Sequence, residues 1–322
     1  MRSAIGIDLG GSHVTAGVVG EDGAIRAQYE QNIENRAFES VVEQIAAVAK
    51  QAIGAASDEI AAIGIGSPGN VDPESGHVRY SPNFGWSDVP LGELLRKRFS
   101  QPVLVGNDAR CATLGEYEFG IGQGSMDFAL LTLGTGIGGG VVGAGHLLIG
   151  YRFGAGEFGH HQIRPTDGFI CGCGKTGCFE AQASGTGLIR HAFAVAPSFP
   201  RSALLDMPRE KLGSKKIRKA AQAGDDHALA AWKNYTADLA IGLANVIAFV
   251  NPETIALGGG VSSANDFLVA AVQSRVDELT TMVPRATTRI GTAKLGNDAG
   301  QVGAATMALR GGLKTRQDAP GV

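Results

Sequence analysis

The chain has 322 residues, of which 44% are hydrophobic, and its formal net charge is −3. This length fits one large or two linked α/β domains and excludes a single small core, while the small net charge gives no electrostatic case for binding nucleic acid or a membrane surface. No run of about 18 apolar residues occurs, and the first residues lack the pattern of a signal peptide, so we expect a cytoplasmic protein without a membrane span.

Strands alternate with helices in the first third of the predicted structure. Short apolar runs at 4–9 and 13–19 predict two strands joined by a glycine turn. Apolar residues at helical spacing predict a helix over 38–53. Buried strands are predicted at 60–65 and 103–105, and each ends at a cluster of glycine and polar residues. Further helices are predicted over 91–99 and from 109 to 120.

The succession of strand, glycine turn and strand appears again near residue 137, which predicts two related halves. A strand over 128–133 runs into a glycine-rich turn at 134–140, and Val141-Val142 continues as a strand. The later predicted elements are a long helix over 226–250, a strand over 254–257 that ends in three glycines, and a closing helix over 300–309.

These two glycine turns are candidate phosphate sites in a chain that holds 48 glycines. Several G-x-G-x-x-G patterns occur, but a dinucleotide fold needs a helix after the glycines, where Val141-Val142 predicts a strand. In a glycine-rich hairpin turn, consecutive backbone N–H groups can point at phosphate oxygens. Asp8 precedes the first turn and could hold Mg²⁺ through water. The alternative is two ordinary tight hairpins. The candidate residues are Asp8, Gly10, Gly11, Ser12, Gly134, Thr135, Gly136 and Gly138.

Three of the four cysteines lie within eight residues, at Cys171, Cys173 and Cys178. A disulfide framework does not have this spacing, whereas structural zinc commonly takes three cysteines and one histidine. Spacing alone allows either His160 or His161 as the fourth ligand, and reduced cysteines without metal are the alternative. Cys111 stands apart and is interpreted as a small core residue.

An ordered series of motifs resembles the ROK family of sugar kinases and repressors, and most of all its bacterial glucokinases. The resemblance runs from about residue 4 to residue 309, and its most specific part is the Glu-x-Gly-His pattern followed by the cysteine loop. The motifs are Asp8-Leu9-Gly10-Gly11-Ser12, Pro68-Gly69-Asn70-Val71-Asp72, Gly106-Asn107-Asp108, Leu133-Gly134-Thr135-Gly136, Glu157-Phe158-Gly159-His160, Cys171 to Cys178 with Glu180, and Leu257-Gly258-Gly259-Gly260.

The resemblance implies an α/β protein with the actin-like ATPase (ribonuclease H-like) fold, in which a cleft lies between two α/β domains. Residues 1–113 and 302–322 would form the small domain, and residues 114–301 the large domain with the zinc loop. The implied cofactors are ATP, Mg²⁺ and one structural Zn²⁺ per chain. The implied partners are a hexose and ATP, with no nucleic acid or membrane, and the implied assembly is a homodimer or homotetramer.

The resemblance also assigns roles to residues of this chain. Asp108 would be the general base, and His160 rather than His161 would bind zinc with Cys171, Cys173 and Cys178. The three glycines Gly258, Gly259 and Gly260 would lie against the adenosine. The implied sugar-binding residues are Gly69, Asn83, Asn107, Asp108, Glu157, His160 and Glu180. The chain departs from the family pattern at Ser12, where Thr is usual, and at Arg110 and Cys111, where Asn and Ala are more common.

The implied activity is ATP-dependent phosphorylation of a hexose at its 6-hydroxyl. Glucose is favoured because Asp108 is followed by Leu114-Gly115-Glu116, as in the glucokinases of the family. Fructose, mannose, N-acetylglucosamine and N-acetylmannosamine stay open as substrates. A sugar-sensing ROK regulator without catalysis is the alternative of another class, as is a ROK repressor, although the first strand starts too early for a preceding DNA-binding domain. For Asp108 itself, the alternative role is that of a helix N-cap.

Overall fold

The computed structural model describes residues 2–208, 211–262 and 266–313. These residues form two compact units. The first unit takes in residues 2–126, 140–156 and 294–313, and the second takes in 127–139 and 157–293, apart from the undescribed positions. The domain limits expected from the sequence stay a prediction. Within the described residues, no helix is both long enough and apolar enough to cross a membrane.

The secondary structure alternates between strands and helices. The strands are β1 Ser3–Leu9, β2 His13–Gly20, β3 Ile25–Asn32, β4 Ile60–Ser67, β5 Asn70–Asp72, β6 His77–Ser81, β7 Trp86–Val89, β8 Val103–Asn107, β9 Phe128–Leu133, β10 Ile137–Gly143, β11 His146–Leu147, β12 Thr254–Gly258 and β13 Arg289–Thr292. The helices are α1 Phe38–Gly54, α2 Leu91–Arg96, α3 Asp108–Phe119, α4 Phe179–Ala183, α5 Gly185–Val195, α6 Ser214–Gln222, α7 Asp226–Val250, α8 Asp266–Leu279 and α9 Ala299–Leu309.

The main sheet of the first unit has the strand order β3-β2-β1-β4-β8. Strands β1, β2 and β3 form an antiparallel meander, whereas β1, β4 and β8 run parallel to one another. Isoleucines of β1 and β4 pack with the apolar face of α1, where Val41 and Ile45 are fully buried or nearly so. The helix predicted over 38–53 is therefore confirmed. A small antiparallel sheet of β5, β6 and β7, which the sequence pattern did not predict, follows β4.

The second unit is built on parallel strands covered by helices. Strand β12 pairs in parallel with β9 on one side and with β13 on the other. Phe179 of α4 and Leu239 and Leu243 of α7 lie in the core beside Leu131 of β9. Such strands, buried on both faces, explain why the sequence shows continuous apolar runs here instead of alternation. The long helix predicted over 226–250 is confirmed as α7.

Helix α9 packs unusually close to the first sheet. A Cβ at Gly64 of β4 would overlap the carbonyl oxygen of Ala304, and one at Gly6 of β1 would overlap that of Gln301. The helix can therefore lie directly on β1 and β4 only because both strand positions are glycine. This packing fixes the start of α9 beside the end of β1.

We expect Gly64→Ala to lower the free energy of unfolding by about 2–3 kcal/mol, the upper part of the range for overpacking. The added methyl group would collide with backbone of α9, which cannot move without leaving the sheet. The matched control is Gly54→Ala at the end of α1, where no atom lies within 4 Å of an added Cβ. Urea unfolding of both variants tests this, and equal stability of Gly64→Ala and the parent protein would contradict it.

Candidate functional site

The three parallel strands of the first unit carry polar residues to one edge of the sheet. Asp8 of β1 lies in register with Gly66 of β4, and Gly66 lies in register with Gly106 of β8. The next residues on β8 and α3 are Asn107 and Asp108. Because the carboxyl ends of parallel strands meet at one edge, residues about 100 positions apart in sequence converge there.

Asp108 is half-buried at the first position of α3, and hydrogen bonds orient its carboxylate. Its Oδ1 accepts from the backbone N–H of Ala109 at 2.8 Å and from Nδ2 of Asn107 at 2.8 Å. The side chain of Asn107 caps the helix by accepting from the N–H of Arg110 at 3.0 Å. The alternative in which Asp108 is the N-cap is therefore wrong, because β8 extends through Asn107 and shifts the cap by one residue.

The predicted sugar-binding residues of the first unit are partly brought together. Nδ2 of Asn107 also donates to the carbonyl oxygen of Gly69 at 3.1 Å, which joins the end of β8 to the turn after β4. Gly69 has a φ of +108° and its position leaves no room for a side chain beside Tyr80 and Ser81. Asn83 is exposed on the turn between β6 and β7.

The carboxylate of Asp8 lies in an unfavourable electrostatic environment. Burial, and to a smaller extent the negative charge of Asp108, together raise the pKa of Asp8 to about 7. The start of α9 contributes to this burial, since a Cβ at Gly300 would lie 2.9 Å from Cγ of Asp8. Two acids that repel each other at a strand edge form a site that a divalent cation would stabilise.

The first glycine turn follows Asp8 directly. The N–H of Gly10 donates to the carbonyl oxygen of His13 at 3.0 Å and closes the hairpin between β1 and β2. Ser12 is exposed on the turn, and no atom lies within 4 Å of a Cβ built on Gly11. The turn thus presents a hydroxyl and an uncovered stretch of backbone beside Asp8.

The second glycine turn, residues 134–138, lies in the second unit and is called the phosphate turn below. The N–H of Gly134 donates to Gly136 O at 3.0 Å, and that of Gly138 donates to Thr132 Oγ1 at 3.2 Å. Helix α5 begins against the turn, where the N–H of Gly185 donates to Gly134 O at 2.8 Å. The structure thus holds the turn from both sides.

The glycines after β12 lie beside the phosphate turn within the second unit. Gly259 has a φ of +85°, and an added Cβ would lie 2.7 Å from Leu133 O. The N–H of Val261 donates to the same oxygen at 3.1 Å. Gly258 and Gly260 flank this point. Two glycine-rich segments therefore meet at the carboxyl ends of the parallel strands β9 and β12.

The cysteine loop and one histidine form a cluster with the geometry of a metal site. One ligand atom from each of His160, Cys171, Cys173 and Cys178 lies within 4.8 Å of all the others. The Sγ atoms of Cys173 and Cys178 are 3.6 Å apart, and Nδ1 of His160 lies 3.8 Å from Sγ of Cys171. Tetrahedral zinc with Zn–S bonds of about 2.3 Å needs sulfur separations of about 3.8 Å. These donors fit zinc in number, kind and spacing.

The two neighbouring histidines point to different surroundings. Nδ1 of His161 lies 2.6 Å from the carbonyl oxygen of Phe158, and its ring packs on Phe179 at 5.1 Å. His161 is thus engaged in the core, whereas His160 faces the cysteines. The direction of the two side chains favours His160 over His161 as the fourth member of the cluster.

Both remaining acids of the predicted sugar set lie near this cluster. Glu157 is exposed and precedes the short 3-10 helix Phe158–His160. Glu180 is half-buried on α4, where Oε2 accepts from the N–H of Ile137 at 2.9 Å. Its other oxygen, Oε1, lies 3.7 Å from Sγ of Cys171.

Sequence reasoning did not identify the structural roles of two side chains near the site. Arg110 is buried, and its Nε and Nη2 donate to the carbonyl oxygen of Ala155 at 3.1 and 2.7 Å, so it holds a loop of its own unit. Glu116 is fully buried and accepts from the N–H groups of Ile121, Lys294 and Leu295. For Arg110, the only sequence signal was an unusual Arg after Asp-Ala. For Glu116, the signal was the position of a Glu inside an apolar helix face.

We expect Asp8→Asn to stabilise the protein most at high pH, when no Mg²⁺ is present. With the pKa raised to about 7, folded Asp8 keeps its proton between pH 4 and 7 while the unfolded chain has lost it. Stability therefore falls progressively as the pH rises from about 4 to about 7 and then levels off. Asn escapes this loss, which amounts to at most about 4 kcal/mol.

Thermal unfolding in EDTA at pH 5 and pH 8 measures this effect. The advantage of Asp8→Asn should be several degrees at pH 8 and clearly smaller at pH 5. Glu34→Gln, which removes an equivalent charge from an exposed position, is the matched control and should show no such pH dependence. An advantage of Asp8→Asn that is equal at both pH values would contradict the account.

Comparison with known proteins identifies the family. The family model described as the ROK family matches residues 4–310. A glucokinase of Thermotoga maritima is 39% identical over 94% of this chain and 96% of the relative, and one of Streptomyces coelicolor is 36% identical over 96% and 98%.

Solved structures agree with this result. A ROK family glucokinase from Streptomyces griseus, in complex with glucose and AMPPNP, matches with a TM-score of 0.85 and 35% identity over 96% of this chain and 99% of that one. A ROK hexokinase from Thermus thermophilus matches with a TM-score of 0.81 and 32% identity over 96% and 98%. The predicted actin-like ATPase fold is thereby confirmed. The chain belongs to the ROK family.

Proposed function

We propose that this chain transfers the γ-phosphoryl group of ATP to the 6-hydroxyl of glucose. The curated relatives at 36–39% identity are named glucokinases, and the related structure holds glucose and an ATP analogue. The observation that carries the proposal is the carboxylate of Asp108, held by two hydrogen bonds at the strand edge that also carries Asp8.

Asp108 is the proposed general base. Its carboxylate would accept the proton of the sugar hydroxyl as that oxygen bonds to the γ-phosphorus and the bond to ADP breaks. General-base help of this kind contributes about 10²–10⁴-fold. Most of the remaining catalysis in phosphoryl transfer comes from positioning and charge neutralisation. The bonds from Asn107 and Ala109 support this role because they fix the carboxylate before substrate binds.

Mg²⁺ is the proposed partner of Asp8. The cation would neutralise charge on the transferred phosphoryl group, and its binding would require Asp8 to lose the proton that burial favours. Ser12, Gly10 and Gly11 would contact phosphate from the first turn. The phosphate turn and the glycines at 258–260 are also proposed to bind nucleotide.

The sugar is proposed to bind amide and carboxylate groups. The proposed sugar-binding residues are Gly69, Asn83, Asn107, Asp108, Glu157, His160 and Glu180. Zinc would fix the ring of His160, leaving its other nitrogen to donate to a hydroxyl. Zinc supplies no chemistry to the transfer in this scheme. A homodimer or homotetramer in the cytoplasm stays a prediction.

We expect Asp108→Asn to lower kcat by about 10²–10⁴-fold, because the amide cannot accept the proton. Glucose affinity should stay within a few-fold, since Asn keeps an oxygen toward Ala109. A coupled assay for ADP release gives kcat, and calorimetric titration gives sugar affinity. Asp58→Asn, an acid of the same unit paired with Arg26, is the control and should keep its turnover. A variant with wild-type kcat would refute the assignment of the base.

The choice of glucose is tested by kcat/KM for a panel of sugars with saturating ATP. Glucose should exceed mannose, fructose, N-acetylglucosamine and N-acetylmannosamine. Equal values across the panel would contradict glucose as the preferred substrate. If the protein consumes no ATP with any of these sugars, that result would instead favour the regulator class that the family also contains.

We expect Cys173→Ser to lower zinc affinity and to raise KM for glucose. Loss of a residue that only supports a ligand typically costs about 10–100-fold in metal affinity or activity, so loss of a ligand itself should cost at least as much. Zinc released by denaturation can be quantified with a colorimetric chelator. Cys111→Ala removes a cysteine outside the cluster and should leave one zinc per chain. Retention of stoichiometric zinc by Cys173→Ser, with unchanged KM for glucose, would contradict this role.

A further inference from the structure

We infer that Glu180 is a positioning residue for the nucleotide: it shapes the phosphate turn and ties that turn to the cysteine loop. The inference rests on the proposed function, which places ATP phosphates at residues 134–138. It adds a role to a residue otherwise expected to bind only sugar. It also predicts that the integrity of the zinc loop affects nucleotide binding when no sugar is present.

The carboxylate of Glu180 lies directly against the phosphate turn. Oε2 accepts from the N–H of Ile137 at 2.9 Å, where the turn passes into β10. A Cβ built on Gly136 would overlap the same oxygen. The turn therefore has its present course only with glycine at 136 and with an acceptor in place at 180.

The hydrogen bonds of the turn leave a specific pair of donors. Gly134, Ile137 and Gly138 each donate their N–H within the second unit. In the part of the chain that the structure describes, no acceptor is found for the N–H groups of Thr135 and Gly136. Two successive backbone N–H groups in a turn can form an anion-binding nest. Glu180 thus keeps the neighbouring N–H occupied and holds the pair in place.

Glu180 is itself held by the cysteine loop. Oε1 lies 3.7 Å from Sγ of Cys171, which in turn lies 3.8 Å from Nδ1 of His160. Cys178 directly precedes α4, the helix that carries Glu180. Two of the four candidate zinc ligands, Cys171 and Cys178, therefore adjoin Glu180 or its helix. A continuous series of contacts therefore leads from the candidate zinc site to the phosphate turn.

The helix that carries Glu180 is also fixed on its buried side. Phe179 is fully buried, and its ring fills the space that a side chain at Gly242 of α7 would need. Further along the loop, the N–H groups of Ile163 and Arg164 both donate to Gly177 O. The side chain of Arg164 donates to the fully buried carboxylate of Asp238 at 2.6 Å. Displacing Glu180 would therefore require changes in the core or in the cysteine loop.

The experiment is calorimetric titration of AMPPNP with Mg²⁺ into the full chain without sugar. Glu180→Ala should weaken binding about tenfold, the effect of losing one hydrogen bond that orders the turn. Glu180→Gln keeps an acceptor for Ile137 and should stay within about twofold of the parent. Glu278→Ala is the matched control, since it removes an exposed acid of the same unit, on α8, that has no proposed binding role, and it should leave nucleotide affinity unchanged.

Zinc removal provides a second arm. Chelation should weaken AMPPNP binding to the parent protein and should have little further effect on Glu180→Ala, because both changes act through the same contact. If Glu180→Ala does not fold, Glu180→Asp takes its place, since its shorter side chain withdraws the oxygen from Ile137 while keeping the charge. Thermal unfolding shows whether Glu180→Ala is folded.

Three outcomes separate the two proposals. Unchanged AMPPNP affinity in folded Glu180→Ala or Glu180→Asp overturns the positioning role, while glucose phosphorylation by the parent protein leaves the proposed function standing. Failure of the parent protein to bind AMPPNP or to phosphorylate any sugar overturns both. Loss of affinity in Glu180→Ala with recovery in Glu180→Gln supports the positioning role.

Discussion

Helix α9 lies directly on strands β1 and β4, and the first unit depends on this close contact. It exists because Gly6 and Gly64 leave room for helix backbone. The same contact brings Gly300 against Asp8 and contributes to its burial. Burial and the charge of Asp108 together raise the pKa of Asp8 to about 7. The close packing of α9 thus helps to set the electrostatic environment of Asp8. The site is unfavourable for two negative charges, and a divalent cation would relieve that cost.

In the second unit, contacts within the protein likewise hold backbone groups in place before a ligand binds. Hydrogen bonds within the protein use most N–H groups of the phosphate turn and leave a neighbouring pair for an anion. Groups fixed in advance in this way need no reorganisation when charge develops in the reaction. In the proposed scheme, the cysteine loop would support the turn through Glu180 and would position His160 for the sugar. A zinc ion would thus act on both substrates without contacting the transferred phosphoryl group.

Much of this arrangement could be predicted from the sequence, because ordered motifs specify the family and periodicity specifies elements such as α1 and α7. Other features depended on distant packing. Spacing could not separate His160 from His161, since the choice follows from a bond of His161 to Phe158 and the ring of Phe179. Arg110 of α3 contacts Ala155, which lies 45 residues later in a loop without a periodic pattern. Local propensity carries no information about such contacts.

The proposed function requires that this chain makes one hexose phosphate for each ATP consumed. Incubating the protein with ATP, Mg²⁺ and ¹³C-labelled glucose, and following the products by ¹³C and ³¹P NMR, measures both products together. We expect phosphorus coupling at C6 of the sugar and ADP in equal amount. Release of ADP and inorganic phosphate without a sugar phosphate, or phosphorylation at another carbon, would contradict it.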